Sequence, residues 1–482
     1  MDVIVVGAGS AGSVVARRLV DAGARVTLLE AGDRDTNPAI HDPARAGELW
    51  HGPQDWDHHT VPQPHAANRR LHLPRGKVLG GSHALNAMIW VRGAAADYDG
   101  WGQPGWAWAD VRAVYERIEN DLLPVTANEP LHPIQRSIVD AAVQIGIGFN
   151  PDYNAGELDG VSVEQITARD GRRINTWIAY GEPILDSPLF TVHTGSIVHR
   201  VLFEGTRAVG VLAEVDGELR ELRADRVVLS AGALASPTIL LRSGVGPAGD
   251  LRVLGIDVVA DLPGVGENLH DHLLSPVIFA TDRREVEPPV SGRSVTQTHL
   301  FWRSRPDLAL PDTQPIHFSV PMYEPWMSGP PTGFSLMAGM VTPRSRGSLR
   351  LSGPGVADEP LIDLAALEHP DDLASLIASV EQCRRLGAAP ALAEEWGARE
   401  LYPSAGTDVE EYVRRTAITY HHQVGTCKMG ADPLAVVGPD LAVHGLTGLT
   451  VADASVMPTV PTGNTNAPAV MIGERAADLL SR

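Results

Sequence analysis

At 482 residues the chain is too long for one ordinary hydrophobic core, so we expect two domains. Hydrophobic residues make up 44% of the chain and charged residues 20%, as in an ordinary globular enzyme. The formal net charge of −20 argues against nucleic acid or an anionic membrane as a partner.

The cysteine content and the hydropathy predict a cytoplasmic protein. Cys383 and Cys427 are the only cysteines, too few for a disulfide framework, so a reducing compartment is expected. No apolar run reaches the ~20 residues that a membrane span needs. A strand-like run follows Met1 directly, so we expect no signal peptide.

The first thirty residues predict a βαβ unit. DVIVV (2–6) is apolar enough for a strand buried on both faces of a parallel sheet. SVVARRLVDAG (13–23) has helical periodicity, and ARVTLLEAG (24–32) predicts a second strand. Similar strands are predicted at 226–232 and 446–455, so this domain is expected to combine discontinuous segments.

The loop between the first strand and the helix, GAGSAG, has the pattern of a dinucleotide site. Gly7 permits the tight turn, Gly9 lets the backbone approach a pyrophosphate, and Gly12 lets helix and strand pack closely. The helix N-terminus then presents unpaired N–H groups to the phosphates. Glu30, at the end of the second strand, can accept hydrogen bonds from a ribose. This loop alone does not separate NAD from FAD.

The remaining elements are predicted from periodicity and turn residues. Residues 33–75 show no strong period and are expected to be extended. Short strands and proline-rich turns are expected from 276 to 345. Helices are expected at 109–120, 136–146, 371–387 and 467–482, and the two strands of a hairpin at 190–203 and 208–215.

The stretch HHQVGTCKMG (421–430) permits three interpretations. Zinc would require more ligands at short spacing, and the adjacent His421 and His422 point in different directions on an extended segment. A thiol nucleophile would require a thiolate stabilised by a cation or a helix N-terminus, and Cys427, among Gly, Thr and Met, is better interpreted as a buried inert thiol. A histidine base is the third interpretation and the one we favour, so no metal site is predicted.

Five longer segments share one pattern with the dinucleotide loop. They are RGKVLGGSHALNAMIWVRG (75–93), GALASPTILLRSGVG (232–246), PGVGENLHDH (263–272), HHQVGTCKMG, and VADASVMPTVPTGNTNAPAVMIGERAADLL (451–480). In this order they resemble the glucose–methanol–choline (GMC) family of FAD-dependent oxidoreductases, in particular its choline dehydrogenase-like branch. The resemblance runs from residue 2 to 480 and is weakest in 95–190 and 276–340.

The resemblance implies FAD as the cofactor. Val198 matches a backbone contact to the adenine, Trp56 an aromatic near the flavin, and Asp453 with Ala454 the contacts to ribitol and pyrophosphate. The full set of implied contacts is Gly7, Gly9, Ser10, Ala11, Gly12, Glu30, Ala31, Trp56, Arg75, Gly80, Gly81, Ser82, Asn86, Ala87, Met88, Ile89, Val198, Ala231, Asp453, Ala454, Asn464 and Thr465.

The attachment of FAD depends on the glycine-rich segment 75–93. Some members of the family bind FAD covalently through a histidine in this loop, and Leu85 stands at that position here. The resemblance therefore implies noncovalent FAD, with His83 as a neighbour of the phosphate or the flavin.

The same resemblance assigns two catalytic residues. His422, three residues before Gly425 of the GT pair, matches the base, and Asn464 matches a second position that is His or Asn in the family. Asn464 could donate a hydrogen bond to the developing alkoxide. The final helix could direct its positive end toward the reduced flavin. Gln423 replaces the proline that commonly follows the base.

The implied architecture is α/β, with a Rossmann-like FAD-binding domain and an interleaved substrate domain built on a mostly antiparallel sheet. The FAD-binding domain is expected to comprise 1–150, 190–275 and 432–482. The substrate-binding domain is expected to comprise 151–189 and 276–431.

The expected activity is oxidation of an alcohol CH–OH to a carbonyl by base-assisted hydride transfer to flavin N5. The electron acceptor would be oxygen or a quinone or other redox carrier. Two alternatives are a hydroxynitrile-lyase-like enzyme that retains FAD without redox turnover, and a nucleotide-binding module without catalysis. Glu324 and Trp326 could surround a choline-like cation or could simply lie in an exposed loop.

Overall fold

Two sheets of different type organise residues 1–481, which a computed structural model describes. The first is a parallel sheet whose central strand is DVIVV, and Val3 to Val6 are buried on both faces as predicted. Its five strands, in spatial order, are Phe190–His193, Arg25–Leu29, Asp2–Val6, Arg226–Leu229 and Leu449–Val451. The predicted βαβ unit and its discontinuous partners are confirmed.

The helix Ser10–Asp21 follows the first strand and packs against the final helix, Asn466–Leu480. The two helices approach so closely at Gly473 that a Cβ there would lie 2.8 Å from the carbonyl oxygen of Ala11. The final helix, which has Pro468 in its first turn, is therefore fixed at Gly473 against the first turn of the first helix.

The second sheet is antiparallel. Its strands in order are Ala398–Tyr402, Leu273–Thr281, Phe334–Met340, Ile316–Phe318, Thr296–Phe301 and Gly160–Val163, and Ile418–Thr419 pairs with Leu273–Thr281. The helices Pro370–Gly387 and Pro133–Gln144 pack against it. Together the two sheets confirm the predicted α/β class with a mostly antiparallel second sheet.

Smaller elements connect the two sheets. The short strand pairs are Val245–Gly246 with Ala260–Asp261, Ser348–Arg350 with Leu361–Asp363, His58–His59 with His72–Leu73, Thr126–Ala127 with Gln165–Ile166, and Ala168–Arg169 with Arg172–Arg173. The other α-helices are Pro38–His41, Ala95–Gly100, Trp108–Asp121, Gly232–Arg242, Ala248–Val253, Pro390–Ala393 and Val409–Thr416. Single 3₁₀ or π turns occupy Pro43–Leu49, Pro64–Ala66, Gly81–Ala84, Tyr153–Ala155, Trp177–Gly181, Glu182–Ile184 and Ala454–Val456.

The predicted hairpin at 190–203 and 208–215 is wrong in its first half. Phe190–His193 joins the parallel sheet, because it pairs with Arg25–Leu29. A turn with Gly195 at φ 62° then redirects the chain. The hairpin proper begins at Ile197–Glu204, pairs with Arg207–Val215 and continues into Glu218–Arg223. The region 33–75 is also less extended than predicted, since it contains three short helical segments.

Within the described residues, no helix combines the length and the apolarity that a membrane crossing requires. The two cysteines, Cys383 and Cys427, are buried and unpaired with each other.

The buried carboxylate of Glu474 joins the final helix to the first helix. Glu474 of the final helix is 1% exposed and accepts hydrogen bonds from Arg18, Arg117 and Tyr180. Glu474→Ala leaves Arg18 without its buried partner and should lower the free energy of unfolding by about 3 kcal/mol. The midpoint of chemical unfolding measures this loss. Asp21→Ala removes only the exposed partner of Arg17 and should cost less than about 0.5 kcal/mol, so equal losses would contradict the interpretation.

Candidate active site

The glycines of two loops pack against each other at the end of the parallel sheet. Gly7 has φ 97°, and a Cβ there would lie 2.5 Å from the carbonyl oxygen of Ser230. A Cβ at Gly12 would lie 1.9 Å from the carbonyl oxygen of Gly7, and one at Gly81 would lie 2.7 Å from the Cα of Gly9. Only glycine allows these approaches. We call this group, with Gly80, the glycine cradle.

Glu30 lies beside the glycine cradle at the end of its strand. Its carboxylate is buried and accepts the N–H groups of Ala8 and Gly32, both at 2.9 Å. Burial raises the pKa of Glu30 to about 7, although these N–H groups oppose the shift. A carboxylate has four acceptor positions, so Glu30 retains capacity for a ribose hydroxyl.

Several buried polar atoms around the cradle have no hydrogen-bond partner within residues 1–481. They are Ser230 Oγ beside Gly7, Asn466 Nδ2 at the start of the final helix, and Asn175 Nδ2 and Arg173 Nη2 under the second glycine loop. Buried polar groups are normally paired, so unpaired donors in one place indicate a polar ligand. The site therefore fits a dinucleotide with a pyrophosphate.

Arg173 is the feature of this loop that the sequence analysis missed. Its side chain is fully buried and donates to Ile40 O, His83 O and Asn86 Oδ1, while Nη2 remains unpaired. Burial lowers its pKa to about 9, and no carboxylate is among its partners. A buried cation without an anion favours an anionic ligand nearby. Little in the sequence points to Arg173, because GRRIN lies in 95–190, where the family resemblance is weakest.

The loop that follows Gly81 is held by its own polar groups. Ser82 Oγ accepts the N–H of Gly76, and Asn86 Oδ1 accepts the N–H of Met88, whose φ is 64°. Ala87 is partly buried and packs against an apolar cluster that includes Ile89. Of the predicted contacts in this segment, Met88 and Ile89 are buried in two different apolar clusters.

His83 and Leu85, the two residues relevant to covalent attachment, are both buried. His83 Nδ1 accepts the N–H of Thr176 and Nε2 lies 2.8 Å from Thr167 Oγ1, so both ring nitrogens have protein partners. Burial lowers the pKa of His83 to about 3. Leu85 packs in an apolar cluster with Ile40. Leu85 has no nucleophilic atom, and both ring nitrogens of His83 are already hydrogen-bonded. His83 is therefore a structural histidine in this arrangement.

The carboxylate of Asp453 fixes the start of the helix Gly232–Arg242. It accepts the N–H of Gly232 at 2.9 Å and the hydroxyl of Ser236 at 2.6 Å, and burial raises its pKa. Ala231 donates its N–H to the same Ser236, and Ala454 accepts the N–H of Gly425. Asp453 and Ala454 thus connect the dinucleotide region with the HHQVGTCKMG stretch.

The remaining predicted cofactor contacts differ in their surroundings. Ser10 donates to Asn466 at 2.6 Å, which joins the first turns of the first and last helices. Val198 is buried in the strand Ile197–Glu204. Trp56 stacks on His58 and has the Lys77 ammonium 4.8 Å above its ring. Ala11 is buried, and Ala31 and Thr465 are partly exposed.

The adjacent histidines 421 and 422 point in different directions, as the sequence predicts for an extended segment. His421 has φ 67°, its Nδ1 lies 2.6 Å from Thr419 Oγ1, and its ring contacts Trp50 edge-on. His422 is 7% exposed and faces Asn464. Cys427 is fully buried, and burial raises the pKa of its thiol, so it is not a thiolate nucleophile.

His422, His272, Asn464 and Gln314 form a hydrogen-bonded chain that we call the catalytic cluster. Asn464 Nδ2 lies 3.2 Å from His422 Nε2, and His422 Nδ1 lies 3.0 Å from His272 Nδ1. Gln314 Nε2 donates to Asn464 Oδ1 at 3.0 Å. The Gln314 bond orients the Asn464 amide, so its NH₂ group faces His422. His422 Nε2 is then the acceptor and carries no proton.

His272 and Gln314 were not predicted, although His272 lies in the quoted segment PGVGENLHDH. Gln314 also approaches His299, with Nε2 3.3 Å from His299 Nδ1. Gln314 Oε1 and His299 Nε2 are buried without partners in the described chain. Polar capacity therefore remains next to the Asn464 amide.

Burial without counter-ions keeps the cluster uncharged. Burial, then the neighbouring His272, lowers the pKa of His422 well below its usual value, and burial lowers that of His272 to about 3. Behind the cluster, Asp271 accepts the backbone N–H of His422 and the side-chain amide of Gln423. Burial raises the pKa of Asp271 to about 7, although Arg75 opposes the shift. His422 is thus a neutral imidazole whose unprotonated Nε2 faces the Asn464 amide.

Aromatic rings border the polar cluster. Tyr420 stacks on His422 with ring centroids 4.5 Å apart, and Tyr153 contacts His299 edge-on at the same distance. Phe301 and Ile89 belong to the same apolar cluster. Among the described residues, the side-chain hydrogen-bond partners of His422, Asn464, Gln314 and His299 are amides and imidazoles only. The site is therefore apolar and neutral around a hydrogen-bonding centre.

Comparison with known proteins agrees with this arrangement. Two profiles of the GMC oxidoreductase family match residues 1–274 and 343–473. The chain is 36% identical to the alcohol dehydrogenase [acceptor] of Pseudomonas putida, over 100% of this chain and 96% of that protein. It is 35% identical to the oxygen-dependent choline dehydrogenase of Brucella ovis, over 99% and 95%.

A solved structure shows the same fold over the whole chain. The crystal structure of pyridoxine 4-oxidase from Mesorbium loti superimposes with a TM-score of 0.94 at 33% identity and covers 99% of this chain and 98% of that one. The family profiles cover every strand of the parallel sheet and the outer strands of the antiparallel sheet, and the relatives align over nearly their full length. The chain belongs to the GMC oxidoreductases, a family of FAD-dependent enzymes that includes alcohol dehydrogenases and oxidases.

Proposed function

We propose that this enzyme oxidises a neutral alcohol to the carbonyl compound, with His422 as base and Asn464 as hydrogen-bond donor. The observation that carries the proposal is the contact between the unprotonated Nε2 of His422 and the Asn464 amide, in a buried site without charge. An alcohol hydroxyl placed between these two groups can give its proton to His422 and accept a hydrogen bond from Asn464.

Each residue of the catalytic cluster has a separate task in this reaction. When bound, FAD supplies the acceptor for the hydride that leaves the carbinol carbon. His422 removes the hydroxyl proton at Nε2, and a base whose pKa is low remains free to do so at neutral pH. Asn464 Nδ2 stabilises the negative charge that develops on the alcohol oxygen. Gln314 orients the Asn464 amide, and His272 accepts from the other nitrogen of His422.

The pairing of Glu324 and Trp326 favours a neutral substrate over a choline-like cation. Glu324 is paired with Arg69 at 3.4 Å, and Trp326 is 48% exposed with Arg415 5.0 Å above its ring. Neither is available to a quaternary ammonium group. The rings of Tyr153 and Tyr420 instead suit an aromatic or aliphatic alcohol.

We propose that FAD is bound noncovalently. The partners of both His83 ring nitrogens and the packing of Leu85 support this attachment. The residues that would bind FAD are those of the glycine cradle, Glu30 and the 82–89 loop, with the additional cation of Arg173. The electron acceptor would be oxygen or a quinone or other redox carrier, and parallel assays with oxygen and artificial acceptors distinguish them.

We also propose the division into an FAD-binding domain (1–150, 190–275, 432–482) and a substrate-binding domain (151–189, 276–431). All strands of the parallel sheet lie in the first, which supports the division, and only Leu273–Thr281 crosses a boundary. The free buried cysteines support a cytoplasmic location, which we propose as well.

Anaerobic mixing with a panel of alcohols tests the activity. Substrate oxidation should bleach the yellow absorption of the bound flavin, because the electrons have no other acceptor. A product formed without bleaching would instead support the hydroxynitrile-lyase-like alternative. Absence of both over a broad panel would leave only nucleotide binding and would refute the proposal.

The assignment of the base predicts a large and specific kinetic loss. His422→Ala should keep the flavin spectrum and slow flavin reduction by about 10²–10⁴-fold, the usual contribution of a positioned base. The loss should shrink as pH rises, because alkoxide already formed in solution needs no base. Anaerobic stopped-flow reduction measures both effects. His421→Ala is the control and should change the rate little; the reverse order would show that the wrong histidine had been chosen.

Removal of the Gln314 hydrogen bond that orients Asn464 should slow flavin reduction less than removal of the Asn464 amide itself. Gln314→Leu frees the amide to rotate and should slow reduction, but by less than Asn464→Ala, which removes one donor and about 3 kcal/mol at most. Stopped-flow reduction measures the rates. Gln135→Leu is a matched control, since that buried amide donates to the carbonyl of His317 and makes no hydrogen bond to the catalytic cluster. An unchanged rate in Gln314→Leu would refute the positioning role.

The cofactor site predicts two results for FAD. Acid precipitation of the parent protein should release the flavin into the supernatant. Glu30→Ala should weaken retention by on the order of 1–3 kcal/mol, the value of one hydrogen bond to a charged group. Equilibrium dialysis against apoprotein measures the affinity, with the exposed Glu48→Ala as control. Flavin that stays with the pellet would disprove noncovalent attachment, and unchanged affinity in Glu30→Ala would disprove the ribose contact.

A further inference from the structure

Three side chains outside the catalytic cluster form a compact group at the surface. They are His51, Asp57 and His72, and one ligand atom of each lies within 4.8 Å of the other two. His51 Nδ1 lies 2.7 Å from Asp57 Oδ1, and His72 Nε2 lies 3.1 Å from the same oxygen. The three ligand atoms therefore lie close together, and a rotation of one of the stacked His51 and His72 rings, whose centroids are 3.9 Å apart, would direct both lone pairs at one ion.

A fourth residue, Asp55, holds these three residues in place by hydrogen bonds. Its side chain is fully buried, and Oδ2 accepts the N–H of His51 and lies 3.1 Å from His72 Nε2. Its other oxygen accepts the N–H groups of Asp57 and Arg75. Both surface residues have left-handed backbone angles, φ 57° at His51 and 53° at Asp57, which the bonds to Asp55 stabilise. All three residues are thus positioned by one carboxylate.

We propose that His51, Asp57 and His72 form a binding site for a divalent transition-metal ion of the Zn²⁺ class. Two imidazoles and one carboxylate suit Zn²⁺, Ni²⁺, Co²⁺ or Cu²⁺, whereas Mg²⁺ and Ca²⁺ prefer oxygen ligands. Ligands about 2.0–2.1 Å from a tetrahedral Zn²⁺ are roughly 3.3 Å apart, close to the separations already present. The ion would replace the ring protons that now join the group.

The site is open to solvent and close to the catalytic segment. His51 and Asp57 are 60% and 46% exposed, so an ion can enter without movement of the fold. The Trp50 ring contacts both His72 and His421, with centroids 6.3 and 5.1 Å away. A bound ion would link the 50–57 segment to the strand His72–Leu73. Only the Trp50 ring separates this strand from His421, the neighbour of the proposed base. We expect occupancy to stabilise this segment.

Calorimetric titration of the holoenzyme with Zn²⁺ tests the proposal. The parent should bind one ion saturably, and Mg²⁺ should not compete. His51→Ala should weaken binding by at least about tenfold, because loss of an outer-shell partner already costs that much in metal sites. Its side chain is exposed, so the fold should tolerate the change. Asp57→Asn, which keeps the shape of the side chain, should weaken binding as well.

The exposed His65→Ala is the matched control and should bind like the parent. Thermal unfolding gives a second readout: Zn²⁺ should raise the melting temperature of the parent and of His65→Ala, and not that of His51→Ala. Absence of saturable binding to the parent would overturn the proposal. Equal affinity in the parent, His51→Ala and Asp57→Asn would also overturn it, because the ion would then lie elsewhere.

Discussion

The structure of the candidate active site depends on one hydrogen bond, between the Asn464 amide and Gln314. Asn464 precedes the final helix, which packs against the first helix beside the parallel sheet, whereas Gln314 pairs with Gly339 of the antiparallel sheet. His422 follows the strand Ile418–Thr419, which also pairs with the antiparallel sheet. The contact therefore joins the two parts of the molecule at the point where the base lies. A shift of either sheet would separate Asn464 from His422.

The side chain of His422 is buried and has no charged partner, which explains why its imidazole remains neutral. His422 has an imidazole and an amide as side-chain partners, and the nearest carboxylate, Asp271, is occupied by a backbone N–H and by Gln423. A carboxylate on Nδ1 would have favoured the protonated ring. In the proposed reaction the same neutrality disfavours a cationic substrate, so the proposed base and the proposed substrate class have one physical origin.

Local patterns in the sequence predicted the parts of the fold whose interactions are local or obligatory. DVIVV had to be a buried parallel strand, and the glycines at 7, 9 and 12 had to allow close backbone contact. The hairpin error at 190–203 arose because both segments are apolar and the turn at Gly195 is not distinctive. Gln314, His299 and Arg173 were missed, because their roles depend on contacts between residues distant in sequence. The low aromatic content, 5%, did not reveal that Tyr153, Phe301 and Tyr420 gather at one place.

The buried neutral histidines couple unfolding to the uptake of protons. Burial lowers their pKa values to about 3, from about 6.5 in the unfolded chain, at His83, His270, His272, His299, His317 and His421. Between these limits the unfolded chain binds more protons than the native protein, so stability is retained above pH 6.5 and falls as the pH decreases. Each such histidine contributes about 1.4 kcal/mol per pH unit to this fall. Acidification therefore drives unfolding through the same burial that keeps His422, the proposed base, unprotonated.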